Sequence, residues 1–305
     1  MSEILDMKSI SDYNSFLGLE TLNPLVSLID FSKVKVLPHR RKTGTFYAIF
    51  LKEKIHGPVT YGRGKYDYQE GTLVFVGPGQ VAGIDDDGVT ENPQGYALLF
   101  HPDLIRGTSL AHKMKDYTFF SYEVNEALHM SERERQTVFN CFNEIEEELR
   151  HSIDKHSRSI IVSNIEVLLN HCLRFYDRQF ATRAIINSDV LTRFEALLND
   201  YFETDKPLEL GLPSVAWCAD KLHLSANYFG DLVKKQTGKS AIEYIHLAVI
   251  HKVKDYLLGT DKTVSEIAYD TGFQYPHHLS RLFKKIAGCT PNEYRLQGRG
   301  SRTAE

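Results

Sequence analysis

Ser225-Ala-Asn-Tyr-Phe-Gly-Asp-Leu-Val-Lys-Lys-Gln-Thr-Gly238 and Tyr275-Pro-His-His-Leu-Ser-Arg-Leu-Phe-Lys-Lys-Ile-Ala-Gly288 are one pattern written twice. Lys234, Lys235, Gly238, Ser240, Glu243 and Tyr244 return fifty residues on as Lys284, Lys285, Gly288, Thr290, Glu293 and Tyr294. A fixed internal period marks a duplicated structural unit. Phe229, Leu232 and Val233 fall on one helical face, as do Leu279, Leu282, Phe283 and Ile286. Gly238 and Gly288 stop these helices, because glycine takes a left-handed conformation without a Cβ clash. Ser240 with Glu243, and Thr290 with Glu293, form capping boxes that start the next helix, and Pro291 suits its first position. Upstream of each copy lies a short helix carrying a small residue, Ala219 or Ala268, then a turn at His223-Leu224 or Gly272-Phe273. Thr263 and Glu266 cap the second of these short helices. A helix, a tight turn and a second helix make a helix-turn-helix unit, whose second helix enters the DNA major groove.

With these residues in view, the chain resembles the AraC/XylS family of transcriptional regulators. The resemblance is carried by Val264-Ser-Glu-Ile-Ala-Tyr-Asp-Thr-Gly-Phe273, Ser280-Arg-Leu-Phe-Lys-Lys285 and Gly288-Cys-Thr-Pro-Asn-Glu-Tyr-Arg295, and it covers about a third of the chain. Two helix-turn-helix units joined by a central helix from Ala241 to Leu258 are a more specific signal than one alone. The alternative is an all-helical interaction domain that never meets DNA.

At 305 residues the chain is long enough for two domains. Its 42% hydrophobic content supplies a core, which excludes wholesale disorder. The net charge of −4 is not that of a general nucleic-acid coat, but it conceals an asymmetry. From Pro207 onward there are 13 Lys+Arg and 10 Asp+Glu, leaving 23 against 30 in the rest. The mildly basic part is the part with the repeat, so affinity for DNA is expected from a few placed contacts. Cys141, Cys172, Cys218 and Cys289 share no metal-ligand spacing, which suits a reducing cytoplasm. Neither a signal peptide nor a membrane span is legible, so no membrane partner is expected.

Residues 1–30 read as a lead-in. From 31 to 125 the texture is β: Phe46-Tyr-Ala-Ile-Phe-Leu51, Thr72-Leu-Val-Phe-Val76 and Tyr96-Ala-Leu-Leu-Phe100 are short apolar runs separated by Gly, Pro and Asn turns. Such punctuation argues a sandwich or barrel. The resemblance implies a cupin-like jelly roll serving as sensor. The fold class expected is therefore multidomain α+β: a cupin-like β-barrel (jelly roll) with following helices, then an all-α double helix-turn-helix domain. His39, His56 and His101 are widely separated and form no His-x-His pair, so neither a metal site nor any other cofactor is expected, and a cupin enzyme is disfavoured. Barrel mouths bind small molecules. Candidates to line one are His39, Arg40, Arg41, Tyr47, Tyr61, Arg63 and Tyr66; the plainer reading puts Tyr47 in the core and Arg63 in solvent.

Residues 126–203 read as a helical dimerisation or connecting segment. Ser131 and Glu134 cap a helix on which Val138, Phe142, Ile145 and Leu149 form a heptad seam. The resemblance implies a homodimer built there; the alternative is a seam packed on its own barrel. Residues 204–212 carry Pro and Gly and read as a linker into the DNA-binding domain at 213–298, with a tail at 299–305.

With the apolar residues facing inward, Asn227, Gly230, Asp231 and Lys234 face outward in the first unit. Asn227 suits adenine, Lys234 a phosphate, and Asp231 either a cytosine amine or nothing. In the second unit His277, His278, Arg281 and Lys285 share the outer face, with Lys284 beside them. Arg281 is expected to read guanine or to anchor a phosphate. Gln274 and Tyr275 open this helix, where backbone N–H groups favour a phosphate. The two reading helices should lie about 34 Å apart, one DNA turn. Double-stranded DNA is the expected partner, with RNA polymerase and a small-molecule effector as further partners that the resemblance implies. A cytoplasmic regulator rather than an enzyme is expected.

Overall fold

The computed structural model describes residues 4–54, 59–61, 64–66, 71–83, 88–122, 126–152, 154–182 and 184–300. The chain divides into two compact units, Met1–Thr182 and Arg183–Glu305.

The first unit is built on strands whose residues alternate between two covered faces. After β1 (Leu5–Met7) and α1 (Ile10–Phe16) come β2 (Val26–Asp30), β3 (Val36–Pro38), β4 (Lys42–Gly44), β5 (Tyr47–Lys54), β6 (Val59–Tyr61), β7 (Gly64–Tyr66), β8 (Thr72–Val76), β9 (Val89–Glu91) and β10 (Gln94–Phe100). Helices α2 (Pro102–Ile105) and α3 (Ser109–Lys113), strand β11 (Leu128–His129), and the long helices α4 (Glu132–Arg150) and α5 (Ser157–Thr182) complete it. Five strands form one antiparallel sheet in the order β11-β8-β5-β10-β2. Three two-stranded ladders, β1-β4, β3-β9 and β6-β7, accompany it. The region is β-rich, as its punctuation implies, but among the described residues its strands do not close into a barrel.

Tyr47, Phe75 and Phe100 sit on the sheet face covered by Phe119, Phe120 and Tyr176 of the helical side. Ala48, Val74, Val76, Ala97 and Leu99, one residue out of phase, pack on the opposite face with Ile10 and Tyr13 of α1 and with Phe31 and Phe46. The buried amide of Gln179 on α5 accepts from the His129 N–H at 2.8 Å and donates to the Ala127 carbonyl at 3.1 Å, which satisfies the edge strand β11. Arg178 reaches both Glu134 and the His129 carbonyl.

The heptad seam expected at a dimer interface is used within this unit. Val138, Phe142 and Ile145 are buried and Leu149 half-buried, with α4 lying along α5 and over β2. Val138, Phe142 and Ile145 thus lie in the core of their own unit, as the alternative reading of the seam has it, while Leu149 stays half-buried.

The second unit begins earlier than the expected linker. Helix α6 (Ala184–Glu203) buries Phe194, Leu198, Tyr201 and Phe202 in the cores of the helix-turn-helix repeat. The stretch read as a linker contains a short helix, α7 (Lys206–Leu210), with Pro207 at its start and buried. The Tyr201 hydroxyl donates to the Gly211 carbonyl at 2.8 Å, tying the end of α7 to α6. Then follow α8 (Val215–Lys221), α9 (Ala226–Thr237), α10 (Ala241–Gly259), α11 (Val264–Asp270), α12 (Pro276–Ala287) and α13 (Pro291–Gly300). Gly238 and Gly288 end α9 and α12 in the left-handed region, at φ of 72° and 79°. The capping boxes at Ser240/Glu243, Thr263/Glu266 and Thr290/Glu293 are formed.

Helix α10 holds the repeat together. Ala241 and Ile245 near its start belong to the first unit's core, with Phe229 and Val233. Val249, Ile250, Val253 and Leu257 further along belong to the second, with Leu279 and Phe283. Full burial of each such side chain contributes about 1.5–3 kcal/mol. Arg295 of α13 donates to the Leu257 and Lys262 carbonyls and clamps the far end of α10.

Candidate nucleic-acid interface

The inward and outward faces of α9 and α12 are divided as the periodicity requires. Phe229, Leu232, Val233, Leu279 and Phe283 are buried, and Leu282 and Ile286 partly so. Asn227, Lys234, Gln274, Tyr275, His277, His278, Arg281, Lys284 and Lys285 are exposed, and Asp231 is half-buried. Every residue named as a DNA contact therefore sits at or near the surface. Lys284 lies near the Glu293 carboxylate, whose pKa it helps to lower after the hydrogen bonds from Thr290. Lys285 lies near Glu243 and His246 of α10, and with burial it helps hold the His246 imidazole below its ordinary pKa.

The two units differ at the start of the reading helix. In α9 the Ser225 hydroxyl accepts from the Tyr228 N–H, so the helix caps itself. In α12 the N-cap residue is Tyr275, which makes no side-chain cap, and Pro276 stands in the first turn. Pro276 has no N–H and the His278 N–H turns back to the Tyr275 carbonyl at 3.0 Å, so the start of α12 offers an anion the helix dipole and at most the His277 N–H. Rings crowd around it: Tyr275 stacks on His277 at 5.6 Å and His277 meets His278 edge-on at 4.2 Å.

The turns differ as well. Leu224 N–H donates to the Ala219 carbonyl and Phe273 N–H to the Ala268 carbonyl, the same bond repeated 49 residues on. The reading helices start 50 residues apart, so the second turn holds one extra residue before its helix. His223 occupies the left-handed position in the first turn at φ 59°, and Gly272 in the second at φ 90°. Gly272 also lies against Gly211: a Cβ added there would stand 2.6 Å from the Gly211 carbonyl carbon.

The first unit of the chain contains a cavity of about 140 Å³ on the sheet face carrying Ala48, Phe50, Val74 and Val76. Of the side chains expected to line a ligand site, His39 and Arg40 do so. Imidazole Nε2 of His39 is 2.8 Å from the Thr90 hydroxyl. Tyr47 does not: it projects from the opposite face of β5 and stacks on Phe100 at 5.0 Å, where burial raises its pKa. Arg41 is half-buried but outside the lining. Tyr61 and Tyr66 fall on β6 and β7, with side chains outside the described residues, and Arg63 lies outside them altogether. Sequence reasoning missed Lys42 and Lys52, which both line the cavity. Burial and the neighbouring Arg40 bring Lys42 down to about 8, and burial brings Lys52 to about 7. The signal for Lys52 was available, since it follows Ala48 and Phe50 at strand period on the inward face of β5.

Two helix-turn-helix units on a shared central helix, each with an exposed reading helix, define a helix-turn-helix domain. Residues 218–297 match the family described as a helix-turn-helix domain. The uncharacterized transcriptional regulatory protein YesN of Bacillus subtilis (strain 168) is 32% identical over 149 residues, covering 47% of this chain and 38% of that protein. The HTH-type transcriptional activator RhaS of Citrobacter koseri is 30% identical over 141 residues, covering 45% of this chain and 47% of that one. The bifunctional transcriptional activator/DNA repair enzyme AdaA of Bacillus subtilis (strain 168) is 31% identical over 107 residues, covering 35% and 49%. The carboxy-terminal region is an AraC-type helix-turn-helix domain. The chain spans less than half the length of these three relatives. Among the described residues no helix is long and apolar enough to cross a membrane.

Proposed function

We propose that this protein is a sequence-specific DNA-binding transcriptional regulator, acting in the cytoplasm and not an enzyme. The observation that carries this reading is the pair of matched helices, α9 and α12, each with its apolar face buried and its polar face exposed. Asn227 and Arg281 read bases, while Lys234, Lys284, Lys285 and the open start of α12 meet phosphates. A separation of the two helices near 34 Å would bring both into successive major grooves of one duplex.

The amino-terminal unit is read as a cupin-like sensor that binds a small-molecule effector. Its antiparallel sheet and the apolar cavity on one face support this. RNA polymerase is the partner a transcriptional activator needs. A homodimer would use a surface other than the α4 seam, and exposed Ile160 and Val167 on α5 offer two apolar positions one heptad apart.

Selection of binding sites from random duplexes, followed by an anisotropy titration at several salt concentrations, tests the DNA reading. A selected motif with two half-sites one turn apart is expected, with affinity falling steeply as salt rises. Recovery of no motif, together with salt-insensitive binding, would reject it.

A further inference from the structure

Gly230 stands where nothing in the fold asks for glycine. It lies in the interior of α9, between Phe229 and Asp231, where glycine lowers helix stability relative to alanine. Gly238 and Gly288 take left-handed φ values, and Gly272 lies against the Gly211 backbone. Gly259 is unconfined, but it is the last residue of α10, where the interior penalty does not apply. Gly230 has none of these reasons. Its backbone is ordinary α-helix, and an added Cβ would meet nothing within 4 Å beyond its chain neighbours and its own helix backbone. The second unit carries a side chain at the same register: fifty residues on stands Ser280, whose hydroxyl donates to the Pro276 carbonyl at 3.2 Å. A residue that costs stability and that the chain's own packing does not require marks a place where something outside the chain comes close.

The register says what that is. Gly230 follows Asn227 by three residues and precedes Lys234 by four, so it belongs to the outward face that Asn227 and Lys234 expose. Three residues advance an α-helix by about 4.5 Å, against about 3.4 Å between stacked base pairs. With Asn227 on an adenine, Gly230 therefore faces a neighbouring base pair. The apolar group that base edges present in the major groove is the C5-methyl of thymine. Glycine in place of alanine leaves a notch one methyl group deep, which matches that methyl in volume and in polarity.

We propose that Gly230 seats the C5-methyl of a thymine beside the base pair read by Asn227, so that α9 recognises thymine through a missing side chain. The inference rests on the DNA-binding reading of α9 and adds a base preference to it. Ser280 leaves no such notch in α12, so the exchange belongs to the first unit alone.

The test moves a methyl group between protein and DNA. The full chain is titrated by anisotropy with its selected duplex, and with duplexes in which each thymine is replaced in turn by deoxyuridine. At one position, loss of the methyl should weaken binding by the unaltered chain about fourfold, the contribution of one buried methyl group. Gly230→Ala should raise Tm by a few degrees, through the better helix former. It should weaken binding to the thymine duplex by about tenfold, through overpacking. On the duplex lacking that one methyl, Gly230→Ala should return to within a few-fold of the unaltered chain on thymine. Ser280→Ala should show no such exchange at any position. Gly230→Ala binding the thymine duplex as tightly as the unaltered chain, or losing the same factor on every deoxyuridine duplex, overturns the inference and leaves the DNA-binding reading standing. So does a selected site without thymine, or a fall in Tm, which would make the glycine a requirement of the fold. Failure to select any sequence takes the inference down together with the DNA-binding reading.

Discussion

The two helix-turn-helix units share a scaffold and differ at the surfaces that would meet DNA. The first caps its own reading helix with Ser225, turns through His223, and presents Asn227, Gly230 and Asp231. The second leaves its helix start without a side-chain cap, turns through Gly272, and presents His277, His278 and Arg281. Buried positions repeat because both units must pack on α10; of the exposed ones Lys234 and Lys235 recur as Lys284 and Lys285, while those nearer the helix start diverge. On the proposed DNA-binding reading, the second unit would grip and the first would orient.

The sharpest way to break this comparison is at the turns. Gly272→Ala forces a side chain into the left-handed region and against the Gly211 backbone, and should cost about 2–4 kcal/mol in thermal or urea unfolding. His223→Ala, at the matching place in the first unit, should cost under about 1 kcal/mol, since the position already tolerates a Cβ. Equal losses at the two sites would mean that the close approach to Gly211 is unimportant. Next comes DNA affinity. Arg281→Ala should weaken binding to a selected site by about 1–3 kcal/mol, and Asn227→Ala by less, in the same anisotropy assay. A larger loss at Asn227 would reverse the proposed division of labour.

Helix starts give a smaller contrast. Ser225→Ala should lower stability by about 1 kcal/mol through loss of the bond to the Tyr228 N–H, leaving the salt dependence of DNA binding unchanged. Tyr275→Ala should barely alter stability but should weaken DNA binding if the open start of α12 holds a phosphate. Smallest of all, Asp231→Asn should raise DNA affinity by up to about 0.5 kcal/mol at low salt by removing repulsion from phosphate. An affinity drop would instead assign Asp231 a base contact.

Much of the carboxy-terminal unit was legible in the residues themselves. A period of fifty, glycine stops and Ser/Thr–Glu boxes are local signals, and local hydrogen bonding realises them in the structure. What stayed hidden depends on which surface meets which. The apolar residues of α6 form a helical stripe, but a stripe does not name its partner, so Phe194 and Tyr201 were set outside the domain whose core they fill. The seam Val138–Phe142–Ile145 was likewise apolar for reasons internal to its own unit. Tyr47, left between cavity and core, and Lys52, passed over, were undecided for a related reason: strand phase, not residue type, sets which face of β5 each occupies.

Helix α10 is a crankshaft, one half seated in each bearing. Inserting a single residue midway would advance the second unit by about 1.5 Å and swing it by about 100° around the shaft. Both units could still fold, yet they could no longer address the same side of a rod. Changes of length in this shaft are therefore closed to gradual drift, and new half-site spacings must come from loops or from pairing between chains.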